Sequence, residues 1–463
     1  MRGKGGLVIA IAVLACVAAA VRAQEKPERE VSDKLIGKID VREVIGRSIT
    51  VSPDAKHFAY VASSGCTQWV VVDGNKGEKY GMITGLLGGD DSTVSFSPDG
   101  KHVAYSAYKR GPEYWYGWEK EPTSGKMVYM TKRWGEMCVV VDGKEGEKYD
   151  IVKCVTFSPD SKRIAYVAGR GGKEFAVVDD KEEKQQYDSV SWPVFSPDGK
   201  RLAYQASVER KEGPLTTTEH FVVVDGKEGE HYSDVAVLIL SIVFSPNSKR
   251  VAYSLWKVGL DRRFMVVDGI REKEYKDVGL TPVFSPDSKH IAYGARKSDT
   301  GSFKSFIVLD GKEQNLYDDV DFDEIVFSPD SKRLAYKASA ERKWFVVVDG
   351  KEEKRYDEVW WICFSPDSKR LAYRACADEN DLVVVDGDEG KRYEAAVFPV
   401  FSPDSKGVAY LAKRGDKWFV VVNGKEGKQY HDILCEVTFD SDTALHYLAL
   451  SDNTVYLVEE RLK

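Results

Sequence analysis

The sequence predicts an all-β fold: a β-propeller of four-stranded antiparallel blades, about ten repeats in number, arranged as one ring closed by the two termini. Three observations carry this expectation. A short turn motif, Ser-Pro-Asp or Ser-Pro-Asn, recurs nine times, with its proline at Pro53, Pro98, Pro159, Pro197, Pro246, Pro286, Pro329, Pro366 and Pro403. The runs between motifs are rich in Val, Ile, Tyr, Phe and Trp and lack a helical apolar period, so a repeat of about 40 residues points to propeller blades and not to a helical solenoid. Each end of the chain also carries an incomplete copy of the unit.

One clear copy sets out the unit. Residues 326–330 form strand a and its turn, 332–336 strand b, 344–350 strand c with its turn, and 354–357 strand d. Proline presets φ for a tight turn and Asp followed by Ser or Gly suits the remaining positions, so Ser-Pro-Asp joins a to b. Asp-Gly, as at Asp349 and Gly350, joins c to d. Such a meander has two apolar faces and cannot bury both alone. Neighbouring sheets must stack, and a ring is the closure that leaves only short, protected edges.

Beyond the blade of Pro403, residues 439–442, 445–449 and 455–458 supply strands a, b and c of a degenerate copy that lacks strand d. Residues 38–42 precede the first motif at the spacing strand d has elsewhere, so the two termini are expected to complete one blade between them. Such a ring exceeds the usual about four to eight blades, and two smaller rings are the alternative. No Gly/Ser/Pro-rich linker and no second shared-blade signature interrupts the middle of the chain, which favours one ring.

The first residues read as a secretory signal peptide: Arg2 and Lys4, an apolar run over 7–21, then Arg22-Ala23 before the polar Gln24, Glu25 and Lys26. The domain scheme is therefore a signal peptide over 1–23, a linker over 24–37 and the propeller over 38–463, with a periplasmic or extracellular location. An uncleaved anchor is one competing reading, for which the apolar run falls short of the roughly 20 residues of a membrane span. A lipoprotein modified at Cys16 is the other, although the residues after Cys16 stay apolar.

The pattern Phe-Ser-Pro-Asp-Gly/Ser-Lys-Arg-Leu-Ala-Tyr is clearest from Phe195 to Tyr204, Phe327 to Tyr336 and Phe364 to Tyr373. It resembles the WD-repeat-like propeller repeat of TolB and related bacterial proteins, over residues 50 to 460. The resemblance implies the fold and not the function. TolB proteins carry an additional N-terminal α/β domain, for which residues 24–50 have no room, so their role in outer-membrane integrity is not carried over. The same repeat type forms the lid of prolyl-oligopeptidase-like peptidases, whose hydrolase domain brings a Gly-x-Ser-x-Gly elbow. No such elbow occurs in this sequence.

The 463-residue chain has a formal net charge of −7, and cleavage after Ala23 removes only bases, which disfavours nucleic-acid and anionic-lipid binding. No stable membrane span is expected after cleavage. Cys66, Cys138, Cys154, Cys363, Cys376 and Cys435 show no CxxC spacing and no histidine at ligand distance, which argues against zinc and thiol-redox chemistry. Cys363 and Cys376 flank one hairpin at nearly opposed positions, and either a disulfide or separate thiols fit. The recurring Asp-Gly-Lys-Glu lacks the alternating acids of a calcium loop and reads as a hairpin with a solvated charged tip. His57, His102 and His290 occupy the slot after the turn lysine, where other blades carry Arg, and read as surface positions. No catalytic residue, metal or cofactor is assigned.

Recognition is expected on the face that carries the b–c and d–a loops. The stretches from Asp99 to Asp142 and from Asp198 to Asp225 are far longer than their counterparts, such as Asp330 to Asp349, and both insertions fall between strands b and c. The first holds Tyr114, Trp115, Tyr116, Trp118 and Trp134 among lysines and arginines; the d–a segments add Trp192, Trp360, Trp361 and Phe398. Aromatic loops of this kind suit a protein, peptide or glycan partner in the cell envelope, with packing onto the ring as the bland reading. A non-catalytic binding or scaffolding module is the expected function. The alternative is a carbohydrate lyase or glycosidase, which requires carboxylates or histidines converging at the channel mouth.

Overall fold

The computed structural model describes residues 29–40, 43–44, 48–65, 67–84, 94–109, 113–120, 127–134, 136–212, 215–233, 237–257, 262–299 and 302–462. Over 113–120 and 127–134, and at a few further strand positions including Trp192, it describes the backbone alone. Every element among these residues is a strand, and the strands form ten antiparallel blades in a ring. Blade 8 shows the unit: strand a Glu358–Phe364, b Leu371–Ala377, c Asn380–Val385 and d Asp388–Glu389, hydrogen-bonded in that order. Apolar clusters sit between the blades, as where Ala335, Val346 and Val348 of blade 7 pack on Val359, Ile362 and Phe364 of blade 8.

The Ser-Pro-Asp motif does two jobs at once. Within the turn, the Ser328 hydroxyl donates to Asp330 Oδ1 at 2.6 Å, which also accepts the Lys332 amide at 3.1 Å. The fourth residue, Ser331, is left-handed (φ 63°), and its hydroxyl accepts the Asp287 amide of the preceding blade's turn at 2.9 Å. At Gly100 and Gly199 the same left-handed position has no side chain; a Cβ there would lie 2.6 and 2.9 Å from the Asp54 and Asp160 carboxylates of the preceding turns.

The residue after the turn lysine stitches blades together. Arg201 Nε pairs with Asp225 Oδ2 of its own c–d turn at 2.8 Å, and its Nη1 donates to the Ser248 and Lys249 carbonyls of the next blade at 2.9 and 3.2 Å. Its guanidinium carbon lies 5.2 Å from the centre of the Phe244 ring. Arg163, Arg250, Arg333 and Arg370 repeat the arrangement. His57, His102 and His290 keep only the first half, each pairing Nδ1 with the turn aspartate at 2.6 to 2.7 Å. They are half-exposed, in keeping with their reading as surface positions.

The Asp-Gly-Lys-Glu tips are solvated, as expected, and several of their glutamates also bond to the neighbouring blade. Tyr187 donates to Glu228 at 3.1 Å and Tyr275 to Glu313 at 3.3 Å, in each case from the preceding blade, and Tyr356 and Tyr393 treat Glu389 and Glu426 alike. The glutamate is thus a second link between blades, reached by a tyrosine hydroxyl that burial would otherwise leave unpaired.

Closure follows the expected principle at a shifted address. Strand d of the last blade is Arg29–Lys38, paired antiparallel with strand c, Thr454–Leu462. The expected closing segment, 38–42, lies past this strand, and residues 29–37, expected as linker, belong to the blade. Position 33 explains the choice: Asp33 accepts the Tyr430 hydroxyl of blade 9 at 3.0 Å, the part Glu426 plays one blade earlier. Arg29 forms an ion pair with the fully buried Glu460 at 2.9 Å, and Tyr447 donates to the other oxygen at 2.7 Å. Breaking a buried pair of this kind costs about 3–5 kcal/mol. On the other side, Phe58 and Tyr60 of blade 1 pack against Leu448, Val455 and Leu457.

Cys363 and Cys376 do not pair. Cys363 stands opposite Ala372 and Cys376 opposite Glu358, so they sit at the two ends of the same strand pair. At about 3.3 Å per residue, that offset is far beyond the reach of a disulfide. Burial pushes the Cys363 thiol up to about 12, and it donates to the Pro399 carbonyl at 3.2 Å.

The turn aspartates are held below the ordinary carboxylate range. The Ser97 hydroxyl, with help from the Lys101 amide, holds Asp99 down at about 2, against an ordinary value of 3.8. Asp160, Asp198, Asp287, Asp330, Asp367 and Asp404 are lowered for the same reason. Because their folded values are depressed, the stability they contribute is present above about pH 4 and lost as pH falls toward 2. Blade 5 carries Asn247 in the same geometry, accepting from Ser245 at 2.8 Å and from Lys249 at 3.0 Å. Melting curves between pH 5 and 2 are therefore expected to fall steeply, and substituting Asp330→Asn together with Asp367→Asn to reduce that slope while leaving the fold intact.

Candidate functional site

The b–c face is uneven around the ring. In blade 4 the hairpin of Leu202–Glu212 and Leu215–Val224 stays paired out to Glu212 and Leu215, and in blade 6 Ile291–Asp299 and Ser302–Leu309 pair out to Asp299 and Ser302. In blade 2 the insertion forms its own two-stranded sheet, Glu113–Lys120 with Met127–Trp134. Blades 7 and 8 instead close b to c with tight left-handed pairs, Glu341-Arg342 and Asp378-Glu379. Extended hairpins thus rise from blades 2, 4 and 6, with a low sector beside them. The insertions of blades 2 and 4 stand out in the sequence; that of blade 6 is only a few residues longer than the norm and escapes notice there.

Tyr114, Trp115, Tyr116 and Trp118 fall on the first strand of the blade 2 sheet and Trp134 at the end of the second, with Trp118 opposite Tyr129 and Trp115 opposite Lys132. Their side chains, like that of Trp192, lie outside the described residues.

Trp360 and Trp361 lie in the low sector, within strand a of blade 8 and not in a d–a loop. Pairing passes from Trp360 opposite Arg374 to Cys363 opposite Ala372, so Trp361 and Ile362 form a bulge, with Trp361 left-handed (φ 55°). Both bulge amides donate to the Glu324 carboxylate of blade 7, at 3.1 and 3.4 Å, and burial pushes that carboxyl's pKa up. The bulge recurs at Phe398 of blade 9, whose ring centre lies 4.5 Å from that of Trp361.

Two cations organise this sector. Lys337 has only 4% of its side chain exposed; its ammonium lies 4.3 Å from the ring centres of both Trp344 and Trp360, 3.0 Å from Asp321 and 3.7 Å from Glu358. The Arg374 guanidinium carbon lies 4.8 Å from the ring centre of Trp360 and 5.2 Å from that of Trp361, and Nη2 pairs with Asp381 at 2.8 Å. Both follow the strand b tyrosine, a position that holds Val61, Ser106, Val167, Gln205, Ser254, Gly294, Leu411 and Leu448 in the other blades. Sequence alignment of the repeats could have found this signal, since these are the only cations at that position. Gly294 is the complementary departure: a Cβ there would lie 1.9 Å from Phe322 Cδ1, so the glycine makes room for the Phe322 ring.

Comparison with known proteins adds only fold-level likenesses. Neither a protein family nor a curated protein matches the sequence. Among solved structures, a eukaryotic initiation factor is similar at 13% identity and TM-score 0.42, covering 75% of this chain and 88% of that one. Dipeptidyl peptidase 4 of Porphyromonas gingivalis is similar at 12% identity and TM-score 0.40, covering 82% and 67% respectively. Hydrazine synthase of Kuenenia stuttgartiensis is similar at 14% and 0.29, covering 63% and 94%. Likeness at this level says nothing about what the chain binds or does.

If Lys337 holds the low sector together, Lys337→Ala will lower the unfolding free energy by about 2 kcal/mol, because it removes a buried ammonium from between two tryptophan rings and leaves the part-exposed Asp321 unpaired. Urea unfolding monitored by tryptophan emission measures the loss.

Proposed function

We propose that this chain is an exported binding or scaffolding module, with a TolB-type repeat, that recognises a protein or glycan of the cell envelope on its b–c face. The observation that carries the reading is the asymmetry of that face. Hairpins extend on blades 2, 4 and 6, and the adjoining sector has Lys337 and Arg374, where the other blades have uncharged residues, amid Trp344, Trp360 and Trp361. Withdrawing two cations from water where uncharged residues serve the other blades brings little stability, which favours a role in shaping this surface. The blade 2 sheet supplies the aromatic residues Tyr114, Trp115, Tyr116, Trp118 and Trp134 to the same face.

The carboxylates nearest this sector support binding over the alternative of a lyase or glycosidase. Asp321 is engaged by Lys337, with Glu358 3.7 Å from the same ammonium, Asp381 by Arg374, and Glu324 by two backbone amides. An envelope location rests on the apolar run over 7–21 and its polar flank.

The test compares the mature chain with a variant lacking residues 111–131, using envelope extracts for protein partners and immobilised envelope polysaccharide for glycans. Loss of a specific partner on deletion, with unchanged melting temperature, is the expected result. Equal capture by both forms, or capture by neither, would remove the blade 2 sheet as the recognition element.

A further inference from the structure

On the opposite face, and independently of the reading above, the structure assigns the cleft between blades 2 and 3 as a binding site for a guanidinium group, the side-chain chemistry of arginine. The inference rests on what fills the same place elsewhere in the ring. At five junctions the chain's own arginine lies over a phenylalanine of the next blade and donates to two backbone carbonyls of its turn, as Arg201 does with Phe244, Ser248 and Lys249. Blade 2 has His102 in that slot, and the ring is too short to reach across; it stops at Asp142, 2.7 Å away.

The receiving half of the contact is nevertheless present. The cleft has a volume of about 520 Å³ and is lined by Phe157, Ser161 and Lys162, the counterparts of Phe244, Ser248 and Lys249. Phe157 is half-buried, whereas the phenylalanines under the five arginines are only 6 to 8% exposed. The volume suits a small ligand. At the blade 6 junction, with His290 in the slot, Phe327, Ser331 and Lys332 line a smaller cleft of about 300 Å³, but Phe327 stays buried at 9% exposure. Where the arginine is present, between blades 4 and 5, a groove of about 430 Å³ has Arg201 in its wall and no phenylalanine in its lining.

The blade 2 cleft also carries a charge the other sites lack. Its lining, which includes Lys144 and Arg163, also includes Asp180, in the place where other c–d turns have glycine, at a left-handed φ of 59°. Asp180 accepts only a long bond of 3.5 Å from Tyr166 and has no ion pair among the described residues. A planar cation lying over Phe157 would donate to the Ser161 and Lys162 carbonyls and be balanced by Asp180, since Asp142 is already taken by His102.

Calorimetric titration of the mature chain with Nα-acetyl-arginine amide, and with glycine pentapeptides bearing a central arginine or lysine, tests the assignment. Saturable binding of the arginine probes is expected, weaker by about tenfold for lysine, which cannot present a planar fork. Binding of both arginine probes would mark a free guanidinium as sufficient; binding of the peptide alone would mark arginine within a chain as the ligand. His102→Arg supplies the missing group from within and should abolish binding while raising the melting temperature. Phe157→Leu, which keeps the apolar floor but removes the ring, should weaken binding by about fivefold. Absence of saturable binding to any arginine probe, or undiminished binding by a folded His102→Arg variant, would overturn the assignment.

Discussion

A four-stranded sheet with apolar side chains on both faces is not a stable object in water, and every feature of this chain answers that constraint. The answer is contact between successive blades, made by three kinds of link that all coincide where blades 5 and 6, 7 and 8, and 8 and 9 meet. A turn serine accepts an amide from the turn before it, an arginine reaches from its own aspartate to the next blade's carbonyls, and a tyrosine reaches forward to a glutamate. Each link joins one repeat to its neighbour only, so stability accrues junction by junction. Such an array has two exposed ends unless it closes. Arg29–Lys38 performs the closure by presenting to blade 9 and to strand c of blade 10 the groups a regular strand d would present.

Regular junctions serve the scaffold, and departures from regularity mark where it can do something else. On the b–c face the departures are extra residues, in blades 2, 4 and 6, and two cations in blades 7 and 8. On the other face they are missing atoms: histidine for arginine at positions 57, 102 and 290. The two kinds of departure lie on opposite faces, so occupancy of one surface does not require the other. The charge of −7 suits a cationic group in the cleft and disfavours an anionic polymer there.

The repeat and the strand order were legible in the sequence because each rests on local chemistry, Pro and Asp at turns and β-branched runs between them, and a shared terminal blade followed from the strands the last copy lacks. The closing strand was misplaced because residues 29–38 are mostly polar and lack the apolar run that marks other strands; their pairing depends on Asp33, Arg29 and partners nearly the whole chain away. The same distance hides the roles of Glu228 and Glu313, whose tyrosine partners belong to another repeat. Cys363 and Cys376 misled because nearness in a hairpin does not settle register. The aromatic residues of blades 2 and 8 were found from composition. What surrounds Trp360 was not, because Lys337 and Arg374 come from strands b of two different blades.

Closure by the N-terminal strand is the claim on which the ring depends, and a crosslink tests it most directly. Ser32 and Glu459 stand opposite one another in the pairing of Arg29–Lys38 with Thr454–Leu462. In a variant with Ser32→Cys and Glu459→Cys, oxidation should join the two ends of a single chain. Protease digestion and mass measurement should then recover an N-terminal fragment linked to a C-terminal fragment, in monomeric protein. Failure to crosslink, or a link found only between two chains, would contradict a ring closed within one molecule.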